Sequence, residues 1–151
     1  MVESLELRDL VTRADRIVRG QVVARRAYWD DAHQRIWTDV TIRVDATFKG
    51  PASPTILVRR LGGSVGGIGM RTIGEVEFSD GEEVFLFVRR AADAYQTVGL
   101  AQGKLRIVRD AAGARAISDV QGAKLMGPAP AAVRPLPELE REVRTLVGAR
   151  R

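Results

Sequence analysis

The sequence predicts a mostly β fold: a small closed or nearly closed barrel with a short N-terminal helix and a C-terminal helix packed on it. The first observation is that residues 36–49, IWTDVTIRVDATFK, alternate apolar and polar side chains. Successive side chains of a strand point to opposite faces, so this segment is a long strand with one apolar face. The second observation is that the other apolar segments are short and lie between regularly spaced turns, as in small barrels.

The first predicted element is a helix over residues 4–14, with Ser4 as its N-cap. Its apolar side chains recur at the spacing of a single helical face. They are Leu7, Leu10, Val11 and Ala14.

A strand is expected over residues 17–29. Val18, Val22 and Ala24 are predicted to point inward. Gly20 lies between them and indicates a bulge or a sharp bend, because a glycine inside a strand pattern often marks one.

Residues 30–35 are polar and predict a hairpin loop that leads into the long strand. The even-numbered side chains of residues 36–49 are expected to face the interior of the barrel. Trp29 and Trp37 flank the loop at similar distances, so we expect them to face each other across the hairpin.

Shorter strands follow, separated by turns. The predicted strands are residues 55–60, 84–88, 95–100, 103–109 and 114–119, with a short extended segment at 75–78. Residues 84–88 are apolar on both parities, which predicts a strand covered on both faces. The chain is expected to form one domain, with the barrel over about residues 15–120.

Residues 121–136 are rich in proline and predict an irregular crossing. A helix is expected over residues 137–149, with Pro137 in its first turn. Its apolar stripe is formed by Leu136, Leu139, Val143, Leu146 and Val147.

Composition narrows the classes of function. The chain has no cysteine, which excludes a disulfide framework, a thiolate metal site and a thiol nucleophile. No segment approaches the roughly 18 apolar residues that span a bilayer, so no membrane span is expected. The net charge of +5 arises in residues 101–151, which carry 10 basic and 5 acidic side chains. We expect a periplasmic or secreted protein if a signal peptide has been removed before Met1, and a cytoplasmic protein otherwise.

Three motifs occur in order: ADRIVRGQVV at residues 14–23, ATFKG at 46–50 and GEEVFLFV at 81–88. Together they resemble the netrin-like domain, the family that includes the N-terminal domains of the tissue inhibitors of metalloproteinases. The resemblance covers about residues 14–109 and implies a five-stranded OB-type barrel with helices packed against it. The chain is also similar to bacterial proteins with GGSVGG-like and GLAQGKLRI-like segments, which are often exported. The inhibitors act through an N-terminal cysteine that this chain lacks, so the resemblance implies their fold without their inhibitory chemistry.

Two loops are the candidate binding segments: the hairpin around His33 and the glycine-rich segment 61–70. In the inhibitors, these two edges touch the protease, so the resemblance implies a protein partner here. The candidate partner-binding residues are Trp29, His33, Trp37, Gly63, Val65, Gly67 and Met70. No catalytic, cofactor-binding or metal-binding residue is predicted.

Other interpretations of these loops remain open. The glycine-rich segment lacks the GxxxxGK[ST] pattern of a phosphate-binding loop, which leaves either a barrel corner or a partner-binding loop. His33, the single histidine, lies near Asp30 and Asp31 and belongs either to a solvated hairpin tip or to a weak cation site.

A cluster of carboxylates and a set of aromatic and basic residues suggest two further functions. The carboxylates either supply an acid–base pair or protect an exposed strand edge. They are Glu75, Glu77, Glu82 and Glu83. The other set could stack bases and follow phosphates, as in oligonucleotide-binding OB folds. Its members are Tyr28, Trp29, Trp37, Tyr95, Arg25, Arg26, Arg43, Arg59 and Arg60.

Taken together, these features favour a non-enzymatic protein-interaction module of netrin-like type. The resemblance to that family also allows a protease-associated role. An oligonucleotide-binding OB module is the alternative. Acidic neighbours that would repel a phosphate backbone weigh against that alternative. They are Asp30, Asp31, Asp39 and Asp45.

Overall fold

The chain builds one eight-stranded mixed sheet, with one helix before it and one after it along the sequence. The computed structural model describes residues 2–3, 6–71, 75–118, 125–126 and 133–149. The predicted mostly β class is confirmed, together with the short N-terminal helix and the C-terminal helix.

The elements occur in the predicted order, but residues 75–78, predicted as a short extended segment, form no strand. The helices are α1 (Leu7–Arg13) and α2 (Leu136–Gly148), and a short 3-10 helix covers Leu100–Gly103. The strands are β1 (Val2–Glu3), β2 (Arg16–Trp29), β3 (Ile36–Lys49), β4 (Thr55–Leu61), β5 (Gly63–Val65), β6 (Ile68–Met70), β7 (Glu83–Ala91), β8 (Ala94–Thr97), β9 (Lys104–Asp110), β10 (Gly113–Ser118), β11 (Leu125–Met126) and β12 (Val133–Pro135).

Five strands of the sheet close into a ring. The sheet runs β12-β10-β9-β7-β2-β3-β4-β8, and β8 returns to pair with β7. Of the ring pairings, β4 with β8 is parallel and the others are antiparallel. The strands β9, β10 and β12 extend the sheet from β7, outside the ring.

A bulge in β2 changes which of its side chains face the interior. The register between β2 and β3 slips between Val22 and Ala24, which leaves Val23 unpaired. Ala24 is therefore exposed, and the prediction that it points inward is wrong. One extra residue moves every following side chain to the other face. The predicted irregularity at Gly20 is confirmed by a second slip of register between it and the preceding residue.

The alternation predicted for β3 is confirmed from Ile36 to Val44, where the even-numbered side chains face the ring interior. Beyond Val44, the register skips Asp45. Phe48 consequently packs outside the ring, with its ring centroid 5.0 Å from that of Phe85. The prediction of one inward face along the entire strand is wrong for this last part, again because a bulge reverses the parity.

The strand β7 separates two clusters of buried apolar side chains. Val84, Leu86 and Val88 face the interior of the ring. Phe85 and Phe87 face the opposite side, where α1 and α2 cover the sheet. The predicted burial of this strand on both faces is confirmed.

The helix ends differ slightly from expectation. The N-cap of α1 is Glu6, whose backbone N–H donates to the Asp9 carboxylate at 3.1 Å, so the prediction of Ser4 is wrong. The helix α2 begins at Leu136, one residue before the predicted start, and Pro137 lies in its first turn, as predicted. Among the described residues, no helix is both long and apolar enough to cross a membrane.

The glycine-rich segment forms a hairpin, β5–β6, where Gly66 and Gly67 at its tip have φ of +57° and +83°. Positive φ at both positions is what a tight two-residue hairpin turn requires. The strand predicted over 95–100 ends at Thr97 and is followed by the 3-10 helix. The predicted crossing over 121–136 lies largely outside the described residues, and its described parts include the short strands β11 and β12.

Candidate functional site

The interior of the ring becomes polar at the end nearest the β2–β3 hairpin. Because of the bulge in β2, Arg25 lies opposite Val40 and Ala27 lies opposite Thr38. Thr38 in turn lies opposite Arg60 on β4. Directly opposed residues of an antiparallel pair share a face, so all five belong to the inward row. Two arginines therefore face into this end of the ring.

The β5–β6 hairpin lies across the same end. The Thr38 hydroxyl donates to the Gly62 carbonyl at 2.7 Å, and the Gly62 N–H donates to the Ile36 carbonyl at 2.7 Å. Gly63 follows with φ of +135°, and a Cβ there would overlap the Thr38 hydroxyl. The absence of a side chain at Gly63 lets the hairpin approach β3 this closely.

The ring end and the hairpin enclose a cleft of about 590 Å³, which we call the mouth cleft. Its apolar and small lining residues come from β2, β3, β5, β6 and the segment before β7. Its charged lining residues are Arg25, Arg60, Arg71, Glu77 and Asp80.

Each of the three guanidinium nitrogens of Arg25 donates to a neighbouring acceptor. Its Nε and Nη2 donate to the two oxygens of Asp80 at 2.8 and 3.2 Å, and its Nη1 donates to the Phe78 carbonyl at 3.0 Å. The hydrogen bonds from Arg25 hold the pKa of Asp80 below its ordinary value, and Asp80 raises the pKa of Arg25. This pair closes one wall of the mouth cleft.

Arg60 makes fewer hydrogen bonds than Arg25. Its side chain is only 9% exposed, and Nη2 donates to Glu77 at 3.2 Å. Its Nε finds no acceptor among the described residues. The Glu77 side chain is 76% exposed, so the counter-ion of the most deeply placed charge in the cleft lies largely in solvent.

Hydrogen bonds from Lys104 hold the segment that carries Glu77. The Lys104 ammonium donates to the Glu77 carbonyl at 2.5 Å and to the Glu82 carboxylate at 2.8 Å. It also lies 5.0 Å from the centroid of the Phe78 ring, which is buried in the ring cluster. The backbone at Glu77 is therefore fixed, while its exposed carboxylate is not enclosed.

The tip of the β2–β3 hairpin is ordered by local contacts. The Trp29 and His33 rings stack with centroids 4.1 Å apart. The Asp30 carboxylate accepts from the backbone N–H groups of Gln34 and Arg35 at 2.8 and 3.2 Å. These two hydrogen bonds hold the pKa of Asp30 below its ordinary value. The tip therefore presents a fixed aromatic pair.

Trp29 and Trp37 do not face each other, which corrects the prediction. Trp29 lies opposite Ile36, whereas Trp37 lies opposite Tyr28. Adjacent residues of a strand point to opposite faces, so the two tryptophans are on opposite sides of the hairpin. Trp37 is thereby separated from the other candidate binding residues.

The structure brings the remaining candidates to one end of the molecule. Gly63 and Met70 line the mouth cleft, and Val65 and Gly67 lie at or beside the tip of the β5–β6 hairpin. Ile68, beside them, is 56% exposed, a feature that the sequence analysis did not single out.

The residues considered for binding nucleic acid are dispersed. Arg59 points outward and donates to Asp39 at 2.7 Å, whereas Arg60 points inward. Tyr95 lies away from the tryptophans, with its ring centroid 5.4 Å from the Arg16 guanidinium carbon. These side chains do not form one continuous stripe.

The four glutamates considered as an acid–base cluster have separate partners. Glu82 accepts from Lys104, and Glu83 accepts from Arg109 at 2.8 and 2.7 Å. Glu75 accepts from the backbone N–H of the next residue at 3.0 Å. Within the described parts of the chain, no group of three or more histidine, cysteine, aspartate or glutamate residues is arranged to hold a metal ion.

The sequence held a usable signal for one of the two arginines that face into the ring. In β4, Arg60 has the parity of Ile56 and Val58, which are both buried, so alternation places it inward. Arg25 had no such signal, because its inward position depends on the unpaired Val23.

No protein-family model matches the chain, and a search of curated proteins finds no match.

Proposed function

We propose that the protein is a non-enzymatic interaction module that binds a protein partner through the end of its ring. The observation that carries the proposal is that two separate hairpins, β2–β3 and β5–β6, lie side by side at that end. A Cβ on Gly63 would lie 3.3 Å from the Ala27 methyl and 3.4 Å from Ile36 Cγ2, so the two hairpins are in contact. Loops that a rigid sheet holds together are frequent binding surfaces.

The proposal includes an OB-like barrel of netrin-like type. Its support is a closed ring of five strands with a single parallel pair, flanked on the outside by two helices. An OB fold is a five-stranded Greek-key barrel that binds ligands at loops on its rim. The resemblance to the netrin-like family makes a protease one class of partner, although the missing cysteine removes the chemistry by which those inhibitors act.

The composition of this surface suits a protein partner. The stacked pair Trp29–His33 and the exposed Ile68 offer apolar contacts on the two hairpins that border the polar mouth cleft. Large aromatic anchors beside polar groups are typical of the residues that dominate binding energy in protein interfaces. Gly67 at the hairpin tip leaves the approach unobstructed, since nothing lies within 4 Å of a Cβ built there.

Affinity capture with two tryptophan variants tests the proposal. Trp29→Ala should reduce recovery of a specific protein partner about tenfold, the loss expected for a moderate hot spot. Trp37→Ala is the matched control, because it makes the same deletion on the opposite face of the same hairpin. Equal recovery with Trp29→Ala and the unmodified protein, or an equal loss with both variants, would contradict the proposal.

Oligonucleotide binding is the second candidate, favoured by the three arginines that line the mouth cleft. It predicts retardation of a single-stranded oligonucleotide in a gel and an affinity that falls steeply as salt rises. Absence of retardation at low salt removes this candidate.

A further inference from the structure

Arg60 makes one hydrogen bond to the described residues, fewer than three other arginines of the chain make. In each of those three, Nε and Nη2 donate to the two oxygens of one carboxylate at 2.7–3.2 Å. The pairs are Arg25 with Asp80, Arg59 with Asp39, and Arg109 with Glu83. Arg60 uses Nη2 alone, on a single oxygen of Glu77, and its Nε has no acceptor among the described residues.

Burial makes the incomplete fork of Arg60 significant. A buried donor without a partner costs about 1–3 kcal/mol, more when it is charged. The Arg60 side chain is more than nine-tenths buried, whereas Arg109, whose fork is complete, is half exposed. The least exposed of these guanidiniums thus has the least complete set of acceptors.

Glu77 is a weakly held counter-ion. Its carboxylate makes one hydrogen bond to Arg60 and is mostly in solvent, where ion pairs contribute little. A ligand carboxylate that displaces the Glu77 carboxylate can accept from both Nη2 and Nε of Arg60. This is the bidentate geometry of the other three arginine–carboxylate pairs. The ligand carboxylate then pairs with Arg60, while the carboxylate of Glu77, whose side chain is already mostly in solvent, stays hydrated.

We propose that the mouth cleft binds a carboxylate side chain from an acidic segment of the protein partner, with Arg60 as the anchor and Glu77 as the counter-ion that leaves. The inference rests on the proposed function and names the chemistry of the partner. Arg71, exposed at the rim and paired with no carboxylate among the described residues, adds attraction for an acidic segment. Met70 and the exposed Ile68 place apolar side chains beside this site, which suits an acidic residue flanked by apolar ones.

The test uses a blocked pentapeptide with one central glutamate between two leucines, and the same peptide with glutamine. Binding is followed by NMR at the Arg60 Nε–H resonance and by calorimetry. We expect saturable binding of the glutamate peptide and a loss of at least about tenfold with the glutamine peptide, as for removal of a charge-assisted pair. Sodium acetate, inorganic phosphate and a single-stranded oligonucleotide are the comparison ligands.

Three variants locate the site, and two of them leave the buried arginine in place. Glu77→Gln removes the competing carboxylate and should tighten binding of the glutamate peptide about threefold to tenfold. Asp93→Asn is the control, because Asp93 is an equally exposed carboxylate that pairs with Arg59 outside the cleft. It should leave the affinity unchanged. Arg60→Lys keeps the charge but cannot donate two parallel hydrogen bonds, and should reduce the difference between the two peptides.

Several results would overturn the inference. They are equal binding of the two peptides, no response of the Arg60 resonance, equal effects of Glu77→Gln and Asp93→Asn, or stronger binding of phosphate or the oligonucleotide than of the glutamate peptide. The proposed function is judged separately, by the dependence of partner capture on Trp29. Capture that requires Trp29 but is unaffected by Arg60→Lys refutes the carboxylate site and leaves the interaction surface in place.

Discussion

At the scale of single residues, Gly20 shows how closely the strands of the ring approach each other. A Cβ at this position would overlap the carbonyl oxygen of Arg43 on β3 and would lie 2.8 Å from Ile42 Cγ2. The register between β2 and β3 slips between Arg19 and Gly20, at the place of this close approach. The φ of Gly20 is not in the positive range, so backbone conformation does not require a glycine here. The requirement comes from the lack of space for a Cβ.

We therefore predict that Gly20→Ala lowers the free energy of unfolding by about 2–3 kcal/mol, the usual cost of overpacking a tight site. Gly148→Ala is the control, since nothing lies within 4 Å of a Cβ at the last residue of α2. That change should stabilise the protein by up to about 1 kcal/mol, because alanine favours a helix over glycine. Chemical denaturation of both variants provides the measurement, and a neutral Gly20→Ala would refute the close approach.

At the scale of elements, α2 is attached to the sheet by one apolar stripe. Leu136, Leu139 and Val143 are buried in the cluster outside the ring, together with side chains of α1 and β7. Leu146 packs against the same cluster but is only partly buried. Most of the stability of such a helix comes from packing of its apolar face, because an isolated helix of this length is marginal in water.

Leu139→Ala should lower the free energy of unfolding by about 2–5 kcal/mol, because the deletion leaves a cavity at a fully buried site. Leu146→Ala removes the same atoms from a partly exposed site and should cost clearly less. Urea denaturation of the two variants side by side distinguishes them. Equal losses would mean that the two leucines are equally buried.

The periodicity of the sequence predicts the helices and strands well. It predicts which side chains of a strand face inward only as far as the first bulge. The pattern from Ile36 to Val44 is inward as predicted, since no bulge interrupts it. The predicted inward orientation fails at Ala24, which follows a slip of register, and at Phe48, which the register skips. Bulges depend on how two strands fit together, so one strand's pattern does not contain them.

The same limit applies to the candidate site. The two loops could be predicted because their polar and glycine-rich composition is local. Their contact, and the cleft between them, could not, because both depend on pairing between β3 and β4 and on the closure of the ring. The inward position of Arg60 could be predicted from the alternation in β4 alone. Its pairing with Glu77 could not, because that contact depends on the fold.

At the scale of the whole molecule, three carboxylates among the described residues have pKa values below their ordinary range. Backbone N–H groups of the hairpin tip lower the pKa of Asp30, Arg25 lowers that of Asp80, and Arg59 lowers that of Asp93. In each case the folded-state pKa lies below the unfolded value, so the unfolded chain binds more protons in acid. The stability that these groups contribute is present above their unfolded pKa of about 3.9 and is lost as pH falls through the folded pKa.

We predict that Tm changes little through these groups between about pH 7 and pH 5, and falls progressively below about pH 4. The double variant Asp80→Asn with Asp93→Asn should show a flatter acid limb, because two of the three linked protons have been removed. Thermal unfolding across this pH series is the measurement. An unchanged slope in the double variant would show that these carboxylates do not couple to folding.

The position of β7 has a consequence for synthesis on the ribosome. This strand pairs with β2, β8 and β9 and fills both apolar clusters, yet it begins only at Glu83. A nascent chain that ends before residue 83 holds the long β2–β3 hairpin with its edge open and its apolar side chains uncovered. Such edges recruit other strands, so we expect aggregation of the nascent chain to be most frequent at this stage of translation.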